Sequence, residues 1–186
     1  MGEYTVIVLS NKRKAAHQNS NGICILCNKP ILSHEKWSVE HFIPRAIYKW
    51  IPKPEIEWQV ESDANLFAVH MDCNLNKNAE IPTVRTINAL RVAPSVKEKL
   101  LLVYWAIYDD IEAYRSMKQS VWAKQNGACA FCEKAIRLTK ATLRRIDNRF
   151  ERSRENAMCL CFHCSLRAAR PAHKQKMVNR KRLLSK

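Results

Sequence analysis

"NGICILC" fills residues 21–27 and "NGACAFC" fills residues 126–132. Both phrases open on Asn-Gly and close on a Cys-x-x-Cys pair. Each is followed by a lysine, one further residue and an isoleucine: Lys29 and Ile31, then Lys134 and Ile136. Self-similarity at long spacing marks a duplicated structural unit. In a chain of 186 residues each copy owns only a small hydrophobic core. Cores of that size are commonly stapled by a metal or by disulfides.

Eight cysteines supply either staple, so compartment decides. The opening "MGEYTVIVLSNKRKAAHQ" lacks the basic start, apolar core and small-residue cleavage site of a secretory signal. The longest apolar run, "LLLVYWAI" at 100–107, is too short to cross a bilayer. A soluble, cytoplasmic chain with no membrane segment is the expectation. In a reducing compartment, paired cysteines more often hold metal than each other.

Each pair then needs two further ligands. "HMDC" offers His70 and Cys73 to Cys24 and Cys27, while "CFHC" offers Cys161 and Cys164 to Cys129 and Cys132. Facing pairs with two-residue gaps aim four donors at one tetrahedral ion, which predicts one structural zinc in each copy. Cys159 is left over, and His163, inside the last pair, is expected to point away from the metal.

The stretch between the pairs reads coarsely in both copies. "EYTVIVLS" alternates as a short strand, and residues 11–20 form a polar helix. "WSVEHFIPRA" reads as a strand and a turn. The Pro- and Trp-bearing "IYKWIPKPEIEWQVESDA" reads as an inserted loop. "NLFAVHMDCNLNKNAE" runs from a strand into a helix. From Ser95 to Gln125 apolar residues recur at helical intervals without Gly or Pro, predicting one or two long helices. The second copy repeats the order of Cys pair, strand, turn and Cys pair, ending in a basic tail, "MVNRKRLLSK". The domain plan is therefore 1–92 for the first module, 93–125 for a helical linker and 126–186 for the second module with its tail.

Charge separates the copies. Residues 1–116 carry 14 Lys+Arg against 13 Asp+Glu, whereas residues 117–186 carry 18 against 4. A net of +14 in the second part points to a polyanionic partner, most simply nucleic acid.

The first copy carries a further pattern. Glu40 and His41 stand together, Asn65 follows two dozen residues on, and Asn74 lies nine residues beyond Asn65. "VEHFIP…NLFAVHMDCNLNK", over residues 24–77, resembles the HNH endonuclease family, whose fold is the ββα-metal motif, here with a zinc-bound Cys-x-x-Cys frame. It departs from the usual pattern in carrying Glu40 before the histidine and His70 in place of one zinc cysteine. The resemblance implies an α+β fold of two tandem zinc-stapled, treble-clef-like ββα-metal modules joined by a helical linker. It further implies a DNA phosphodiester hydrolase with His41 as general base. One Mg²⁺ or Mn²⁺ would be held by Asn74 with help from Glu40, and Asn65 would pin the loop that aims His41. Lys77 falls where many members have a closing lysine, and is expected at the DNA.

Such chemistry suits these residue types. An anionic phosphodiester needs an activated water and a cation facing the charge that builds on the leaving oxygen. Histidine titrates near working pH, and oxygen donors suit a hard ion. In the second copy, "LRRIDN" at 143–148 resembles the "LDRIDN" stretch of another branch of the family. However, Arg144 replaces the acid and Ser165 replaces the metal-binding Asn. That copy is expected to bind DNA through Arg144, Arg145, Arg149, Arg152 and Arg154 without cutting it. A different reading makes the chain a non-catalytic zinc-module regulator that binds nucleic acid. A third makes it a nuclease working with a separate accessory subunit, as in restriction or other defence systems. One active site cuts one strand at a time, so double-strand cleavage would call for a homodimer or sequential nicking.

Overall fold

A computed structural model describes residues 11–77 and 80–170. The expected first strand and the basic tail lie outside the described residues. Eight α-helices and four strands follow in the order α1 (Asn11–Ser20), β1 (Trp37–His41), α2 (Ala46–Trp50), α3 (Pro54–Glu61), β2 (Leu66–His70), α4 (Met71–Lys77), α5 (Val84–Asn88), α6 (Pro94–Ala106), α7 (Tyr108–Lys124), β3 (Thr142–Arg145), β4 (Ala157–Leu160) and α8 (Phe162–Ala168). The class is α+β, with small sheets and short helices. The described residues form two compact units. One takes in 11–45, 57–77 and 82–107; the other takes in 46–56, 80–81 and 108–170.

The first unit is built on the antiparallel hairpin β1–β2, in which Trp37 faces His70, Glu40 faces Phe67 and His41 faces Leu66. Leu66, Phe67, Ala68 and Val69 are wholly buried, a continuous apolar run typical of a strand covered on both faces. Helix α1 packs along β2 through its small residues Ala15, Ala16 and Ser20. The Ser20 hydroxyl accepts the Ala68 amide at 2.8 Å. Helix α4 continues directly from β2 and lies against both strands.

The second unit repeats this plan. Strands β3 and β4 pair antiparallel, with Arg144 facing Met158 and Arg145 facing Ala157. Helix α7 packs on β4 and buries Ile111, Tyr114, Lys118 and Val121 at helical spacing. Asp109 and Asp110 in its first turn and Lys124 in its last complement the helix dipole. Just past α7, Gln125 takes the place of Ser20: its Oε1 accepts the Cys159 amide at 2.7 Å. The duplicated unit therefore begins one helix before the Asn-Gly phrase. The expected linker comprises α6, in the first unit, and α7, in the second.

One expectation fails. "IYKWIPKPEIEWQVESDA" is not a loop; it forms α2, α3 and a 3₁₀ turn at Asp63–Asn65. Pro54 opens α3 instead of breaking it, because the first helical position needs no N–H donor. Ile56 and Val60, four apart, bury one face of α3, while Ile47, Tyr48 and Trp50 bury α2.

Candidate functional site

The Asn-Gly-x-Cys-x-x-Cys phrase folds the same way twice. Asn21, Gly22 and Asn28 take positive φ values of 47, 70 and 59°; Asn126, Gly127 and Glu133 take 53, 69 and 60°. Glycine and asparagine reach this region cheaply, but Glu133 does not. Gly127 has a second reason, since a Cβ there would come 2.9 Å from the Trp122 ring, while Gly22 faces open space. The Cys24 amide donates to the Lys29 carbonyl and the Cys129 amide to the Lys134 carbonyl, both at 2.9 Å. Ile31 and Ile136 donate back to Gly22 and Gly127, both at 2.8 Å. The shared Lys-x-Ile is thus the closing half of a tight knuckle.

The knuckles meet the expected partners. Cys24, Cys27, His70 and Cys73 form one cluster, and Cys129, Cys132, Cys161 and Cys164 the other, with donor atoms within 4.8 Å of one another. Thiolate and imidazole donors fit zinc, and each cluster could hold one ion. His70 turns Nδ1 towards Cys27 at 3.3 Å and Cys73 at 3.9 Å. Its Nε2 lies 3.2 Å from the Pro30 carbonyl and 3.4 Å from Glu35. A ligating imidazole commonly donates its other N–H to such an acceptor, which fixes the tautomer. Burial pushes the Cys24 thiol up, but N–H donors from His70, Cys27 and Leu26 outweigh it and bring the pKa to about 7. Cys129 behaves alike, also at about 7, with donors from Cys132, Cys161 and Phe131. Burial pushes the neighbouring Cys73 and Cys164 thiols up instead, so a metal binding there would displace their protons. Cys159 stays outside the cluster, wholly buried, and burial pushes its thiol up to about 11. His163 joins no cluster; its ring meets Phe162 edge-on.

At the end of β1, Asn65 acts as a clasp. It is wholly buried; its Oδ1 accepts the Ile43 amide at 2.7 Å, and its Nδ2 donates to the Ile43 and Val60 carbonyls at 2.9 and 2.8 Å. The turn after His41 is held from within. Strand alternation places Ser38 and Glu40 towards α4. There Asn74 donates to the Ser38 hydroxyl at 3.0 Å, and the Lys77 ammonium meets Glu40 at 2.5 Å. Lys77 is turned inward, with its side chain 8% exposed. Burial raises the Glu40 pKa, and Lys77 opposes it. Glu40 and Asn74 are oxygen donors of the kind a hard divalent ion accepts; in this arrangement the Lys77 ammonium neutralises Glu40.

His41 reaches a different partner. Its Nε2 lies 3.3 Å from Glu61 at the end of α3, and Glu61 also binds Lys12 and Arg45, each at 2.6 Å. Burial lowers the His41 pKa below its ordinary 6.5, Glu61 works against that, and Arg45 and Lys12 add to it. The balance favours the neutral imidazole. Glu61, Ser38 and Glu35 were missed in the sequence; Glu61 sat in the segment taken for a loop, where no helical spacing tied it to His41.

The second unit keeps the clasp and changes what it aims. Asn156 accepts the Asp147 amide at 2.9 Å and donates to the carbonyls of Asp147, Phe150 and Glu151. In register, Arg144 holds the place of Glu40 and Arg145 that of His41. Arg144 Nε donates to the Ser165 hydroxyl at 3.1 Å, and Arg145 donates to the Phe150 carbonyl at 3.2 Å. Arg149 is bound by Asp147, whereas Arg152 and Arg154 stand exposed.

No family model matches the chain, and no curated protein and no solved structure matches it.

Proposed function

We propose that the chain is a metal-dependent DNA endonuclease whose first unit cuts and whose second unit holds the DNA. The observation that carries this reading is the β1 end: a neutral, carboxylate-oriented His41 beside a turn pinned by Asn65, with Glu40 and Asn74 on the adjoining face. His41 takes a proton from the attacking water, and Glu61 orients the ring and stabilises the imidazolium that forms. Glu40 and Asn74 would hold one Mg²⁺ or Mn²⁺, which supplies charge stabilisation at the scissile phosphate. Lys77 balances Glu40 until the ion is bound. The zinc ions are structural, since each cluster has four protein donors and leaves no open position. The basic second unit contacts phosphates.

A rival reading, a non-catalytic zinc-module regulator that binds nucleic acid, draws on two observations. Glu40 is already paired with Lys77, and the His41 ring turns to Glu61 instead of to Asn74. Digestion of plasmid and single-stranded DNA with Mg²⁺, Mn²⁺ or chelator separates the two. The nuclease cuts only with the ion; the regulator binds and never cuts.

A further inference from the structure

The turn between β3 and β4 carries an aromatic ring that stands mostly in water. Phe150 is 63% exposed, although its backbone is among the most firmly held in the turn. Its carbonyl accepts from both Arg145 and Asn156, and the next carbonyl, of Glu151, accepts from Asn156 at 2.7 Å. The neighbouring Arg149 guanidinium is fixed by Asp147 through both carboxylate oxygens. It stands 5.9 Å from the centre of the Phe150 ring. Residues 144–154 hold five arginines against Asp147 and Glu151. Leaving a large ring in water while ordering the main chain beneath it forgoes the usual gain from burial. The ring is presented to a partner, and the surrounding charge selects a polyanion with flat apolar faces.

We propose that Phe150 stacks on a base of single-stranded DNA whose phosphates are contacted by Arg152 and Arg154. This rests on the reading of the second unit as the DNA-holding part and adds how it grips. Stacking on an aromatic side chain tolerates any base, because every base has a π face. The fixed Arg149 guanidinium lies over the ring and adds positive charge beside the stacked base.

The test uses the full, zinc-loaded chain and two probes of equal length: oligothymidylate, and an abasic strand that keeps the phosphates and lacks the bases. Wild type should bind the base-bearing strand more tightly. Phe150→Ala should erase that advantage, a loss of roughly 5- to 150-fold, while affinity for the abasic strand and the salt dependence stay unchanged. Phe150→Tyr should restore it. Equal losses on both strands, or an advantage that survives in Phe150→Ala, overturns the stacking. Wild type binding neither strand overturns the stacking; if it also fails to bind duplex DNA run alongside, the DNA-holding role falls with it.

Discussion

The two units share a cysteine knuckle, a hairpin, an asparagine clasp and a following helix, and they differ in what the end of the hairpin and the following helix display. Where the first has Glu40, His41 and Asn74, the second has Arg144, Arg145 and Ser165. In the first unit those residues engage α4 and the Glu61 carboxylate. In the second they bind Ser165 and the turn backbone. A frame built on a four-donor cluster and one asparagine clasp keeps its form while what it displays is replaced.

The frame is where the largest effects belong. Purified protein should carry two zinc ions per chain by metal analysis; one or none breaks the parallel. Structural zinc contributes on the order of 10 kcal/mol to a small domain, so a strong chelator should unfold both hairpins. Cys164→Ser should destabilise the second unit far more than Cys159→Ser, which removes no ligand. Thermal unfolding followed by circular dichroism reads both.

The clasps come next. Asn65→Ala leaves the Ile43 amide and the Ile43 and Val60 carbonyls without their partner in a buried turn. Each such group costs about 1–3 kcal/mol. Asn156→Ala should cost less, because two of its bonds lie in exposed surroundings. Chemical denaturation of the two variants sharpens the comparison, and equal losses would contradict it.

Acid–base behaviour separates the units further. On the proposed mechanism His41 is the working base, so cleavage should fall on the acid side with an apparent pKa below the ordinary 6.5 of histidine. Glu61 raises that pKa by stabilising the cation. Glu61→Gln should therefore move the acid limb to still lower pH while lowering the plateau rate, as a pH–rate profile would show.

The smallest expected effect is electrostatic. Arg144 and Arg145 are hydrogen-bonded within the second unit, whereas Arg152 and Arg154 stand exposed in its turn. Replacing both with Ala should weaken DNA binding and flatten its salt dependence by roughly one unit of slope per lost contact. Turnover at saturating DNA should hold.

The two four-donor clusters, the hairpins and α4 were legible from spacing, whereas the place of Asn65 came from the family resemblance. Two-residue gaps bring sulfurs together, and a buried strand reads as "LFAV". What escaped is long-range or disguised. Glu61 meets His41 across 20 residues, through a helix that opens on a proline. Gln125 replaces Ser20 with a longer side chain doing the same bond, so no sequence identity showed that α1 and α7 are counterparts. The inward turn of Lys77 onto Glu40 is a matter of packing, which spacing does not encode.

His41→Ala, assayed for Mg²⁺-dependent nicking of supercoiled plasmid with zinc content and DNA affinity measured on the same sample, tests the central claim most directly. The account predicts a rate reduced by about 10²- to 10⁴-fold with two zinc ions and unchanged binding. Nicking at the wild-type rate would contradict it and move the chemistry away from β1.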